Sequence, residues 1–319
     1  MICNRVMKRK ILFVVHRYYP YAGGSEYYVK NMAEETLLRG HEAWVYTHQH
    51  HGDQNGVKVT SDINIILDKF DLIVVHGESS AQNIILNNIE KLKSPVLYML
   101  IKPSLSESSI NGIEKAQFLS YSTNFDKLFL EKYASSDRIV YVPHGIPLSI
   151  QGRSGFKKKH GIEGNMILSC GGFWKHKGHI ELAEVFSAAC IDSTLVVTGY
   201  WDNSAYRPLD KFNIKTFLID NPNEIGDAIS EADLYVMNSY EEGFGLVLLE
   251  SMLNRTAWIS RPVGKAPELR EFGIIYNDEK ELCALLKTYH KEFKVQEGYD
   301  YVNRNHGISH TVDSILKLI

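Results

Sequence analysis

Short, unbroken apolar runs alternate with helix-like segments along almost the whole chain, and no other feature constrains the fold as strongly. The runs are Ile11 to Val15, Ala43 to Tyr46, Leu72 to Val75, Val96 to Ile101, Phe118 to Ser122 and Ile139 to Val142. After a gap they resume with Ile167 to Cys170, Leu195 to Thr198, Thr216 to Ile219, Leu234 to Met237, Trp258 to Ser260 and Ile274 to Tyr276. A strand with one wet face alternates apolar and polar residues, whereas a strand apolar throughout is covered on both faces, as in a parallel sheet flanked by crossover helices. The class is therefore α/β. The first crossover helix is the clearest: Ser25 reads as its N-cap and Glu26 falls in its first turn. Tyr28, Val29, Met32, Ala33 and Leu37 form its apolar face, and Gly40 stops it.

The rhythm breaks once, between Gly145 and Gly164, where Pro147, Gly152, Gly155, Gly161 and the lysines 157–159 have linker composition. The chain divides accordingly into a first Rossmann-like lobe (1–145), a linker (146–164), a second Rossmann-like lobe (165–300) and a terminal helix (301–319) whose docking is not readable. With 319 residues and 44% hydrophobic content, two cores of ordinary size are expected. Lys and Arg number 35 against 38 Asp and Glu, so nothing attracts a nucleic-acid polyanion, and no nucleic-acid partner is expected. The four cysteines, Cys3, Cys170, Cys190 and Cys283, have neither zinc nor redox spacing, which fits a reducing, cytoplasmic setting. The apolar run after the charged N-terminal stretch is far too short for a signal or spanning segment, so the chain is expected to be soluble. Lys8 to Lys10 or Lys157 to Lys159 would allow peripheral membrane association, although solvated surface lysines are the preferred reading.

Chemistry concentrates in 239–250, which follows an apolar run and opens a helix. Gly243 and Gly245 allow a tight turn and close approach of a ligand, and the free N–H groups at the following helix start suit a phosphate. Glu250 lies roughly 7 to 8 Å further along the helix axis, about the distance from a phosphate to a ribose. A carboxylate there can accept from two vicinal hydroxyls, and Glu242 can address hydroxyls on the other side. A Glu at a helix start or inside a helix is also commonplace. The setting of Glu250 is less so, because Leu246, Leu248, Leu249, Met252 and Leu253 surround it with core-facing positions and a buried carboxylate needs a partner. Gly23 and Gly24 form either a ligand-facing loop or an ordinary strand-to-helix turn, and they do not make a G-x-G-x-x-G dinucleotide fingerprint. His176 and His179 form H-x-x-H and His48, His50 and His51 a tight group, yet neither has acidic or Cys ligands at metal spacing, and no metal site is expected. His76 ends an apolar run, the place where open α/β sheets bind ligands, although a structural or solvated histidine fits equally.

Residues 239–250 resemble the E-x7-E signature of retaining glycosyltransferases of family four, whose fold is GT-B, two Rossmann-like lobes facing a cleft. Ala232 to Val236, Glu250-Ser251-Met252, Gly264 to Glu268 and Tyr19 to Glu26 resemble further motifs of that family, so the likeness covers nearly the whole chain. It implies transfer of a sugar from a nucleoside-diphosphate sugar to a glycan, lipid-linked or small-molecule acceptor hydroxyl, with retention and without metal or other cofactor. It places Glu250 on the ribose, Glu242 and His76 near the donor sugar, and Gly243, Phe244 and Gly245 against sugar or phosphates. Gly23 and Gly24 would then close over the phosphates. The stretch Gly171 to His179 resembles the family's phosphate loop, with Lys177 as the lysine that meets the departing diphosphate. Here the family's arginine falls at Gly172, leaving Lys175, Arg261 or Lys265 as substitutes. The sequence contains no D-x-D for holding a divalent cation on a diphosphate. Two other activities remain open: a nucleotide-sugar epimerase of the same architecture, and a sugar-nucleotide-binding scaffold without turnover.

Overall fold

The computed structural model describes residues 7–21, 23–49, 52–77, 79–102, 105–199, 209, 211–219, 222–288 and 293–319; Cys3, His50 and His51 lie outside the described residues. Two compact units are present, one formed by 1–145 with 308–319 and the other by 146–307.

The first unit runs β1 (Lys10–Val14), α1 (Gly24–Leu38), β2 (Glu42–Tyr46), β3 (Lys58–Thr60), β4 (Leu72–His76), α2 (Ser80–Asn87), β5 (Val96–Met99), α3 (Glu107–Lys115), β6 (Phe118–Tyr121), α4 (Asn124–Leu130) and β7 (Ile139–Tyr141). Its strands form one parallel sheet in the order β3-β2-β1-β4-β5-β6-β7. The chain leaves β1 towards β2 and returns to β4 on the other side of β1, so a topological switch lies between β1 and β4. At such a point the loops beyond the strand ends diverge and leave a crevice for a ligand. β4 is buried at all five residues, as its unbroken apolar run requires. The three-residue edge strand β3 has one inward residue, Val59, and therefore makes no apolar run in the sequence.

Helix α1 buries Tyr28, Val29, Met32 and Ala33 on the expected face and stops before Gly40, whose φ of +83° suits the turn after a helix. Its start differs from the expected Ser25 cap. The helix begins at Gly24 with Gly23 as N-cap, and among the described residues no side chain caps it. The Glu26 carboxylate folds back over the helix start, where a Cβ on Gly23 would meet Glu26 Oε2 at 2.0 Å, and it pairs with Arg17 Nε at 3.0 Å.

The second unit runs α5 (Phe156–Lys159), β8 (Met166–Cys170), α6 (His179–Ala189), β9 (Thr194–Gly199), β10 (Lys215–Leu218), α7 (Pro222–Glu231), β11 (Leu234–Met237), α8 (Leu246–Leu253), β12 (Trp258–Ser260), β13 (Ile274–Ile275), α9 (Glu279–Thr288) and α10 (Val295–Asn305). Its parallel sheet has the order β10-β9-β8-β11-β12-β13, with the switch between β8 and β11. Met166, Leu168, Val196, Tyr235 and Met237 pack with Ala228, Ile229, Leu248, Leu249 and Met252 in one core. Ile167, Leu195, Val197, Leu234 and Val236 pack with Leu182, Ala183, Phe186, Leu282 and Leu286 in another. Alternate residues of each strand thus enter different cores that are both apolar, which is why the strands read as continuous runs.

Residues 146–164, read from composition as a linker, are part of this second unit. Ile146, Phe156 and Ile162 are buried in its core, and Ile146 N donates to His306 O at 2.8 Å. Three apolar anchors outweigh the glycines around them. The stretch 301–319 is divided: its first residues complete α10, which packs on α8, while α11 (Ile308–Leu316) packs on α1 of the first unit. Thr311 Oγ1 donates to Pro143 O at 2.7 Å, and Arg39 pairs with Asp313 and donates to Ser309 O at 3.1 Å. Among the described residues no helix is long and apolar enough to cross a membrane.

Candidate active site

In the second unit, the loops after β8 and β11 meet at the switch point. Gly178, at φ +64°, sits so close that a Cβ would lie 2.5 Å from Asn238 O, and Asn238 Nδ2 donates to Gly178 O at 2.6 Å. Tyr240 N donates to His176 O at 2.7 Å. These bonds hold the two loops in register and bring together residues distant in sequence. Lys177 Nζ donates to Glu242 Oε1 at 2.6 Å, and the Lys177 stem runs over Gly171, with Cδ and Cε 3.5 Å from where a Cβ would be. Ser239 Oγ donates to the same Glu242 oxygen at 2.6 Å. Among the described residues the other oxygen of Glu242 makes no hydrogen bond, leaving an acceptor open to a ligand hydroxyl. Both side chains of the pair are mostly buried, so the contact is less screened than a surface ion pair.

Gly245, at φ +86°, caps α8. A Cβ there would be strained and would approach Met237 Sδ to 3.1 Å. Among the described residues the backbone N–H groups of Gly245, Leu246 and Val247 have no hydrogen-bond partner, so the helix start presents donors and the positive end of its dipole. Phe244 is buried, and its carbonyl accepts from Lys265 N at 2.8 Å. Gly243 is half-buried beside it.

Glu250 is the fifth residue of α8, with Leu248, Leu249, Ser251, Met252 and Leu253 buried around it. Burial pushes its carboxyl up from 4.5 to about 7, and among the described residues it makes no hydrogen bond or ion pair. Its charge reaches Cys170, at the end of β8, and Tyr235, on β11, whose hydroxyl also feels Glu242; burial pushes both groups well above their ordinary values. The carboxyl thus stands at the carboxyl edge of the sheet, close enough to Glu242 for one tyrosine to feel both. An unpaired, half-desolvated carboxylate is costly unless something donates to it.

Gly172, the place of the expected arginine, is filled from the side: a Cβ there would lie 2.7 Å from Trp174 Nε1, although Trp174 itself is 57% exposed. Lys265 is buried and bound to Glu268 at 2.7 Å. Arg261 donates to Asn238 Oδ1 at 3.0 Å and lies over the Tyr240 ring, 4.5 Å from its centroid. Lys175 is exposed and, among the described residues, makes no ion pair. Sequence reasoning missed Ser239 and Asn238. The S-x-x-E spacing of Ser239 and Glu242 was a readable signal for the first; nothing marked the second. His179 turns inward against Phe173, and burial, with the Lys177 charge, pushes it down to about 3. Among the described residues no three His, Cys, Asp or Glu side chains group as metal ligands.

The remaining expected residues lie in the first unit. His76, at the end of β4, is 3% exposed and packed against Tyr28 and His144, with ring centroids 5.1 and 6.4 Å away. Burial pushes it down to about 4, and among the described residues its Nδ1 has no hydrogen-bond partner. A side chain at Gly23 would have to displace the Glu26 carboxylate, whereas a Cβ on Gly24 would meet nothing within 4 Å among the described residues.

Residues 153–273, the stretch carrying Lys177, Glu242 and Glu250, match the family model of glycosyl transferases group 1. No curated protein matches the chain at a significant level. Among solved structures, HepE of Anabaena in complex with UDP-glucose aligns at a TM-score of 0.81 and 16% identity, covering 98% of this chain and 100% of that one. A glycosyltransferase from Rickettsia africae aligns at 0.77 and 16% over 98% of both chains. WaaG, a glycosyltransferase involved in lipopolysaccharide biosynthesis, aligns at 0.71 and 17% over 97% of this chain and 99% of its own. The fold is that of GT-B glycosyltransferases.

Proposed function

We propose that this protein is a glycosyltransferase that moves a sugar from a nucleoside-diphosphate sugar to an acceptor hydroxyl, with retention at the anomeric carbon and without a metal ion. The observation that carries the reading is the unpaired Glu250 carboxyl one and a half turns behind the open N–H groups of α8, with the Lys177–Glu242 pair across the same switch point. A diphosphate at the helix start would place its ribose on Glu250 and draw Lys177 away from Glu242, freeing that carboxylate for donor-sugar hydroxyls. HepE, of the same fold, forms a complex with UDP-glucose, which supports a nucleotide sugar as donor here.

In the reaction, the bond between the anomeric carbon and the diphosphate oxygen breaks with its electron pair on the phosphate. The acceptor oxygen bonds to the same face of an oxocarbenium-like centre, and its proton passes to a phosphate oxygen. Lys177 offsets the charge that builds on the leaving diphosphate. The absence of D-x-D, with a cation supplied by Lys177, supports the metal-free reading. The acceptor, whether glycan, lipid-linked or small molecule, is left to the first unit.

A thermal-shift panel of nucleoside diphosphates tests donor binding, since a ligand of the native state raises its stability in proportion to affinity. Product analysis then decides the activity. An acceptor-linked sugar with retained configuration is expected. An isomeric nucleotide sugar formed without acceptor would make the protein an epimerase, and binding without turnover would make it a scaffold. Activity lost to a chelator would overturn the metal-free assignment.

A further inference from the structure

We propose that His16, Ser80 and His48 of the first unit form a recognition site for two hydroxyls of one acceptor sugar ring; the inference rests on the transferase reading above. The three residues follow three neighbouring strands: His48 comes just after β2, His16 just after β1, and Ser80 opens α2 after β4. They therefore stand over the carboxyl edge of the sheet at the switch between β1 and β4.

Ser80 Oγ lies 3.2 Å from His48 Nδ1 and 3.4 Å from His16 Nδ1, and the two imidazole centroids are 5.9 Å apart. The histidines are fixed from behind. His48 N donates to His16 O at 3.3 Å, Thr47 Oγ1 donates to the same oxygen at 2.8 Å, and the Tyr46 ring meets the His48 ring edge-on. A serine hydroxyl has one hydrogen, so it can donate to only one of the two Nδ1 atoms and must accept from the other. The neutral imidazoles are thereby forced into opposite tautomers. One presents an Nε2–H and the other an Nε2 lone pair, and among the described residues neither Nε2 has a partner. A donor and an acceptor carried on rings whose centroids are 5.9 Å apart match two hydroxyls on one pyranose ring, one accepting and one donating. Two imidazolium rings, the arrangement an anion would select, would leave the serine with two donors and no use for its own hydrogen.

The test uses the full-length protein labelled with nitrogen-15 at histidine, titrated with methyl glucoside, methyl galactoside, methyl mannoside and, separately, inorganic phosphate. The imidazole signals of His16 and His48 are expected to move together with at least one glycoside. Ser80→Ala, at an exposed position, should weaken that response about fivefold, the effect of losing one ordering hydrogen bond. His48→Phe should abolish it, and UDP-glucose binding should be unchanged in both variants. Signals that ignore all three glycosides, or that respond to phosphate alone, would overturn the site. UDP-glucose binding to the unaltered protein is read in parallel: its absence would count against the transferase reading, whereas its presence with silent histidines would count against this inference only.

Discussion

Replacing Glu250 by Gln should make the unliganded protein more stable and the donor complex weaker. The carboxyl is raised from 4.5 to about 7 by burial alone. At about 1.4 kcal/mol per tenfold change in proton affinity, that displacement corresponds to about 3 kcal/mol. The group is not fully enclosed, so about 2 kcal/mol is the working figure. The sign follows from linkage. The native carboxyl holds its proton more tightly than the unfolded chain does, so native stability falls as pH rises from about 4.5 to about 7, and the full penalty is present above that. Gln is uncharged and carries no such penalty. Urea unfolding of the unliganded proteins, followed through the buried Trp258, should give nearly equal stabilities at pH 5 and an advantage of about 2 kcal/mol for the variant at pH 8. Binding should run the other way. Two ribose hydroxyls donating to an ionised carboxylate are worth about 1.5–3 kcal/mol over an amide, so UDP-glucose should bind about ten- to a hundredfold more weakly to the variant at pH 8. In the unaltered protein its affinity should climb with pH through about 7 and level off above it, and in the variant it should be flat. A variant that is no more stable at pH 8, and binds UDP-glucose as the parent does, would show that Glu250 is neither desolvated nor at the ribose.

If Lys177 acts as proposed on the departing diphosphate, Lys177→Ala should lower kcat about ten- to a hundredfold with a smaller change in donor affinity; Glu242→Ala should impair both, and steady-state kinetics separates the two patterns. Gly172→Arg should be tolerated only by displacing Trp174, so Trp174→Ala should recover stability in the double variant, measured as Tm, and donor turnover should exceed that of Trp174→Ala alone. The His76 imidazole should titrate near 4 by NMR. Its folded value lies below the ordinary 6.5, so the stability it contributes is complete above 6.5 and disappears as pH falls through about 4. Arg39→Ala removes the contacts to Glu35, Asp313 and Ser309, and should cost about 1 kcal/mol and expose α11 to limited proteolysis before the rest of the first unit.

The strands were readable because burial on both faces leaves an apolar run with few interpretations, and β11 and β12 coincide with theirs residue for residue. β3 was not readable, since one inward valine among three residues carries no pattern. Glu250 could be singled out because its leucine neighbours must face a core whichever way the helix turns. Its companions could not be placed by the same reasoning. Lys177 and Glu242 are 65 positions apart, and Ser80 is 64 from His16 and 32 from His48. Each of these meetings depends on which strands are neighbours in the sheet, and local pattern reports strand order along the chain only. Both sheets reverse beside their first strand, β1 next to β4 and β8 next to β11, and in each case the juxtaposed polar residues follow those two strands or the one beside them. The same side chains on a sheet reversing elsewhere would keep every motif and every apolar run, yet Lys177 would face no carboxylate and Ser80 no imidazole. The chemistry of this chain therefore depends on strand order as directly as on the residues that carry it.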